Sequence, residues 1–192
     1  AISNFVFNKK KLFILTESFK WAKFVYNKPK DIFENTELKP ILPNGFLKEK
    51  ERIAIADSYF NENIYFVLFS KNKEDINKYY VATFKTQTGE LIAVKSIPEL
   101  TKNTPIPSLI NMQFEKLEYC NNDQNYFVLA LKNTKTKDAY FIKINPDLEN
   151  TTAIQSQIKL DWREYLLTTN KEIVHVRNEY DTLQRYFYKD DL

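Results

Sequence analysis

The 192 residues include 43% hydrophobic and 28% charged side chains, with 12 Tyr and 15 Phe, which excludes a disordered chain and predicts a folded, soluble globule. The net charge is only +3, and four Arg (Arg52, Arg163, Arg177, Arg185) are too few for a clustered phosphate-binding face, so nucleic acid is not an expected partner. No apolar run approaches the roughly 20 residues of a membrane-spanning helix, and glycines only at 45 and 89 exclude a glycine-rich phosphate loop.

The length suits a single domain, 1–192. The positive excess is N-terminal: residues 1–50 hold ten Lys against five acids, and residues 51–192 hold 18 Lys and Arg against 20 acids. Cys120 stands alone, which rules out an intramolecular disulfide and fits either redox compartment. Ala1 fits a trimmed chain or a mature form after signal-peptide removal, so an exported, periplasmic location is compatible with the sequence. Heavy use of Lys, Asn, Ile, Tyr and Phe has the character of an AT-rich bacterial genome.

In chain order, residues 2–7 read as an isolated strand. Residues 12–15, a turn through Glu17 and Ser18, and residues 23–26 read as a hairpin, although 19–24 also has helical spacing. Residues 30–38 are predicted to form a helical turn or two after Pro29, ended by Pro40, before a turn at Pro43-Asn44-Gly45. Four strands follow at 53–58, 65–72, 80–85 and 93–96, joined by polar turns. Three prolines between 98 and 107 mark an exposed connector. Four more strands follow at 114–119, 126–133, 140–145 and 153–156, and a last hairpin pairs 172–176 with 185–188.

The two sets of four strands repeat each other. Tyr-Phe-Val-Leu-Phe-Ser-Lys-Asn at 65–72 matches Tyr-Phe-Val-Leu-Ala-Leu-Lys-Asn at 126–133, and the alignment runs at an offset of 61 before the following polar loop and 60 after it. The matched runs lack alternation, as expected of strands covered on both faces. With the flanking hairpins the chain reads as about four units, near 8–50, 51–100, 110–160 and 161–192.

This array of four-stranded antiparallel meanders resembles a β-propeller over most of the chain. The resemblance implies an all-β fold of about four units, in which strand 2–7 would complete the last unit and remove an open edge. A curved β-sandwich is the alternative. The sequence has no Gly-His and Trp-Asp pair, kelch double glycine or Asp-box, so the resemblance is to an architecture and lends no functional residues. Small bacterial immunity proteins that neutralise secreted toxins look similar at this level.

Candidate chemistry is sparse. His175 is the lone histidine, so a triad or an imidazole metal site would depend on that ring, and a Cys120 nucleophile would need it close by. Asp161 with Glu164, or Asp57 with Glu62, could serve as a glycosidase pair, but among 25 acids accidental pairs are certain and solvated turn charges are the stronger reading. The Asn-rich loop 121–125 lacks the glycine and distal glutamate of a calcium loop. No metal or cofactor is therefore expected.

Aromatic residues are the abundant resource. Tyr65, Phe66, Phe69, Tyr126, Phe127 and Phe141 lie in strands and are expected in the core. Trp21, Trp162, Tyr165, Tyr180 and Tyr186, accompanied by Arg163 and Arg185, are the expected binding residues, because Trp, Tyr and Arg join large contact area to polar handles. The expectation is a non-enzymatic protein that binds another protein through loops, most concretely an immunity protein that occludes a toxin or enzyme. A carbohydrate-binding module or glycosidase and a trimmed surface lipoprotein or assembly subunit are the alternatives.

Overall fold

Residues 2–8, 11–16, 20–40, 42–43, 46, 51, 53–60, 63–71, 74–120, 126–159, 164–168, 172–179 and 182–189 are described by a computed structural model. Among them the chain is nearly all-β, and its strands form four sheets of consecutive strands. It divides into two compact units, Ala1–Lys73 with Val81–Val94, and Glu74–Tyr80 with Lys95–Leu192.

The first sheet orders β1 (Ile2–Asn8), β2 (Lys11–Thr16), β3 (Lys20–Asn27) and β4 (Ile32–Pro40). Two expectations are corrected here. The N-terminal strand is not isolated; Asn8 pairs with Lys11 across only two residues, so β1 forms a local antiparallel hairpin with β2. Residues 32–40 form a strand, where a helical turn or two was expected over residues 30–38. The reason lies in the turn before it. Asp31 takes φ 53, the amides of Lys30 and Asp31 donate to the carbonyls of Asn27 and Lys28, and the chain reverses so that Tyr26 meets Phe33 across the ladder. Their rings pack at 5.4 Å, a cross-strand aromatic pair that a helix would separate. The helical spacing at 19–24 is likewise overridden, since Trp21 pairs with both Leu15 and Lys39.

The second sheet orders β5 (Ala54–Phe60), β6 (Ile64–Ser70), β7 (Tyr79–Lys85) and β8 (Leu91–Ser96). The third orders β9 (Met112–Cys120), β10 (Tyr126–Asn133), β11 (Asp138–Ile144) and β12 (Thr151–Lys159). These are the two copies of the repeat. Their second and third strands form the core: Phe66, Val67, Leu68, Phe69, Phe127, Val128, Leu129 and Leu131 of the second strands, and Val81, Phe84, Phe141 and Ile142 of the third, are all fully buried. Each large apolar side chain so enclosed contributes on the order of 2 kcal/mol.

Register refines the alignment. Tyr59 lies opposite Phe66 and Tyr119 opposite Phe127, so the first strands of the two copies match sixty positions apart, not sixty-one. The second copy has one more residue between its first two strands, because Phe60 pairs with Tyr65 whereas Cys120 pairs with Tyr126. Both first strands carry a bulge, at Ala56 and at Glu115. One extra residue reverses the facing of everything beyond it, which is why the sequence match alone misplaces this strand by one.

The Pro-rich connector is not wholly exposed. It begins as a short helix, α1 (Ile97–Thr101), that buries Ile97, Leu100 and Thr101 and lies against β12. Ser96 caps it reciprocally: its Oγ accepts from the Glu99 amide, while the Glu99 carboxylate accepts from the Ser96 amide at 2.7 Å and the Ser96 hydroxyl at 2.6 Å. Thr151 Oγ1 donates to the Leu100 carbonyl at 2.7 Å, fastening the helix end. Lys95 Nζ donates to the carbonyl of Leu148, a buried residue at φ 60 in the β11–β12 turn. At the matching turn of the first copy that left-handed position is Gly89, at φ 66.

The fourth sheet orders β13 (Glu164–Thr168), β14 (Glu172–Glu179) and β15 (Thr182–Lys189). The β14–β15 hairpin closes with Glu179 opposite Thr182, as the sequence pattern leads one to expect, and β13 lies next to β9.

Two hydroxyls stand out in the core. Ser70 Oγ and Thr83 Oγ1 are buried and find no hydrogen-bond partner among the described residues. Replacing an unsatisfied hydroxyl by a methyl removes a desolvation cost. Thr83→Val is therefore expected to leave stability unchanged or raise it by about 1 kcal/mol in urea unfolding, and a loss above about 1 kcal/mol would show that the hydroxyl is satisfied.

The cap yields a second expectation. Hydrogen bonds from Ser96 hold the Glu99 carboxyl below its ordinary value. A carboxylate with a lowered folded pKa stabilises above its unfolded pKa and loses that contribution as pH falls through the folded one. Ser96→Ala is expected to cost about 1 kcal/mol near pH 7. That difference from wild type should shrink between about pH 5 and pH 3, as thermal melts would show.

Candidate functional site

The inner strands of the repeat cannot present a site, since nearly all their side chains are enclosed. The segments open to a partner are the turns and outer strands. Among the described residues, no group of three or more His, Cys, Asp and Glu side chains is placed to hold a metal ion. The Asp57 carboxylate accepts from the Ser58 amide at 2.7 Å, while Asp161 and Glu62 lie outside the described residues. Cys120 ends β9 opposite Tyr126, whereas His175 lies in β14 of the next sheet, opposite Leu166 and Tyr186.

The expected binding residues separate. Trp21 lies in β3 of the first sheet. Trp162, Arg163 and Tyr180 lie outside the described residues. The remaining three share the C-terminal sheet. Val176 pairs with Tyr165 on one side and Arg185 on the other, which places Tyr165, Val176 and Arg185 in one row across three strands. Leu166, His175 and Tyr186 form the adjacent row. Twenty positions separate Tyr165 from Arg185 in sequence, and only the three-strand register brings them together.

Two surface segments not singled out by the sequence expose apolar groups. In the first unit, the β3–β4 end presents Ile32 and Phe33, 49% and 38% exposed. Apart from exposed Lys28, its charges are internally engaged: Lys30 binds Glu34 at 2.7 Å, Asn27 Nδ2 donates to Glu34 at 3.0 Å, and the Tyr26 hydroxyl donates to Asp31. In the second unit, Ile110 is 70% exposed. The next residue, Asn111, stands at φ 59, and its carbonyl accepts from both the amide (2.8 Å) and the hydroxyl (3.1 Å) of Thr134 at the β10–β11 turn. That turn is braced by Asn133, whose Oδ1 accepts from the amides of Lys135 and Thr136 and whose carbonyl accepts from the amide of Lys137 at φ 66. A signal for this bracing was present in Asn133-Thr134, since Asn bonds its own backbone two residues on.

No protein-family model matches this sequence, and no curated protein matches it. Among solved structures, the chain is similar to a Lactobacillus plantarum protein solved in a structural genomics programme, at 9% identity and a TM-score of 0.46, covering 92% of this chain and 53% of that one. It is similar to Sqt1 of Saccharomyces cerevisiae at 8% identity and a TM-score of 0.39, covering 97% and 61%. It is similar to the C-terminal domain of Bacillus megaterium YpeB at 14% identity and a TM-score of 0.22, covering 81% and 89%. The chain thus spans about half to three fifths of the first two proteins. Likenesses of this order assign no residue a role.

The Tyr26–Asp31 contact can be tested directly. Its hydrogen bond to the Asp31 carboxylate, aided by desolvation, raises the Tyr26 pKa above the ordinary tyrosine value. A group with a raised folded pKa favours folding below its unfolded value and ceases to do so as pH rises through the folded one. The difference between wild-type and Tyr26→Phe phenolate absorbance is expected to titrate above pH 10, and Asp31→Asn to bring it down.

Proposed function

We propose that this chain is a non-enzymatic binding protein that engages another protein through its connecting segments and C-terminal sheet, most concretely an immunity protein that occludes a toxin or enzyme. The observation that carries the reading is the row Tyr165, Val176 and Arg185. Tyr and Arg dominate the energetics of protein interfaces because each combines broad contact with directional hydrogen bonds. Burial of the repeated strands supports it too, since a rigid core allows the ends to vary without cost to the fold.

Consecutive meanders are the building blocks of the propeller-like array expected from sequence, and the proposal keeps that arrangement. Occlusion asks for no catalytic group of this chain, only a rigid surface that covers the partner's cleft. Binding would then be limited by how little the surface must reorganise.

The test uses purified proteins encoded beside the gene, titrated calorimetrically with the full chain. A stoichiometric complex is expected, weakened at least tenfold by Tyr165→Ala or Arg185→Ala. Melting curves of the variants should match wild type. Absence of any complex with neighbouring gene products, together with oligosaccharide binding on a glycan array, would overturn the proposal in favour of a carbohydrate-binding module.

A further inference from the structure

Residues 103–114 form the longest stretch of the chain without a charged side chain, twelve residues between Lys102 and Glu115. Its prolines predict an exposed connector, and most of the stretch is on the surface. Asn103, Pro105, Pro107, Ser108 and Ile110 are exposed, and Ile106 and Leu109 are half-buried. Ile110, at 70%, is the most exposed large hydrophobic residue described.

Beside it stand two cations. Thr134, bonded twice to the Asn111 carbonyl, opens the turn that carries Lys135 and Lys137, both exposed and in no ion pair among the described residues. Neighbouring lysines differ: Lys132 is paired with Glu115 and Lys116 with Glu118. The nearby acid Asp138 is half-buried and accepts from the Thr136 hydroxyl. The tip therefore joins one projecting aliphatic side chain to two lysines in no ion pair among the described residues, on a frame held by its own hydrogen bonds.

We propose that this tip docks on an anionic phospholipid surface, with Ile110 entering the interfacial region and Lys135 and Lys137 drawn to headgroup phosphates. Three observations favour lipid over protein. Residues 102–111 and 134–137 contain no aromatic and no Arg, the residues that anchor protein interfaces. Their polar groups are spent internally: the Ile110 amide donates to Ser108 Oγ, the Met112 amide to the Leu109 carbonyl and the Thr104 amide to the Thr101 carbonyl. A bilayer needs no directional partner, only apolar burial and positive charge, and Lys supplies charge as a point. A rigid frame also lets the tip bind without an ordering cost. The surface is distinct from the Tyr165–Arg185 row, so the two proposals stand or fall separately.

The test is flotation of the full chain with vesicles of phosphatidylcholine containing 30% phosphatidylglycerol, against pure phosphatidylcholine, at low salt. Expected is binding to the anionic vesicles only, weakened about tenfold on raising salt from 20 to 200 mM. Ile110→Asp and the double variant Lys135→Glu/Lys137→Glu should each reduce binding at least fivefold with unchanged circular dichroism melts. Lys28→Glu, on the exposed β3–β4 turn, controls for net charge and should stay within twofold. No preference for anionic vesicles, or equal loss in Lys28→Glu and Ile110→Asp, overturns the proposal; so does binding of Lys135 and Lys137 variants at wild-type strength.

Discussion

Enclosure of the second strand of each repeated meander is the constraint from which the rest follows. In β6 and β10 the backbone pairs on both edges and side chains on both faces leave water, so these strands are apolar without alternation. Such a strand satisfies its peptide groups only if both neighbours are in register. The outer strands take up the irregularities that this requires: bulges at Ala56 and Glu115 sit in β5 and β9, at the sheet edge, where one extra residue costs least.

The turns carry the second constraint. Asp31, Asn111, Lys137 and Leu148 hold left-handed conformations that usually favour glycine, in a chain with only two glycines. Local bonds compensate: the Asp31 carboxylate accepts from Tyr26, the Asn111 carbonyl accepts twice from Thr134, and the Lys137 and Leu148 amides donate to Asn133 and Asn145. The ends of the meanders are thus firm surfaces, which is what both proposed binding modes need.

Much of the strand pattern was legible because β-branched and aromatic runs bounded by Asn, Gly and Pro leave little choice of element. What escaped did so for identifiable reasons. Residues 32–40 read as helical because their propensities are indifferent, and the deciding feature was the Asp31 turn and its Tyr26–Phe33 pair. Helix α1 was missed although Ser96 and Glu99 spell a capping box, because the prolines beside it suggested a connector. Of the candidate binding residues, Tyr165 and Arg185 could not be aligned from sequence, since their common row rests on two successive registers through Val176. Ile110 gave no signal by residue type, since an isoleucine in an uncharged run is ordinarily core.

By itself the sequence determined the all-β class, the four-strand repeat and the residues of its core, because those depend on residue type and on short-range periodicity. Tertiary structure alone decided that β1 joins β2, that the first strands of the repeat match at sixty, and that Ile110 stands out beside Lys135 and Lys137. Those outcomes depend on pairing between strands and on single inserted residues, where a shift of one position exchanges buried for exposed and no local propensity registers the difference.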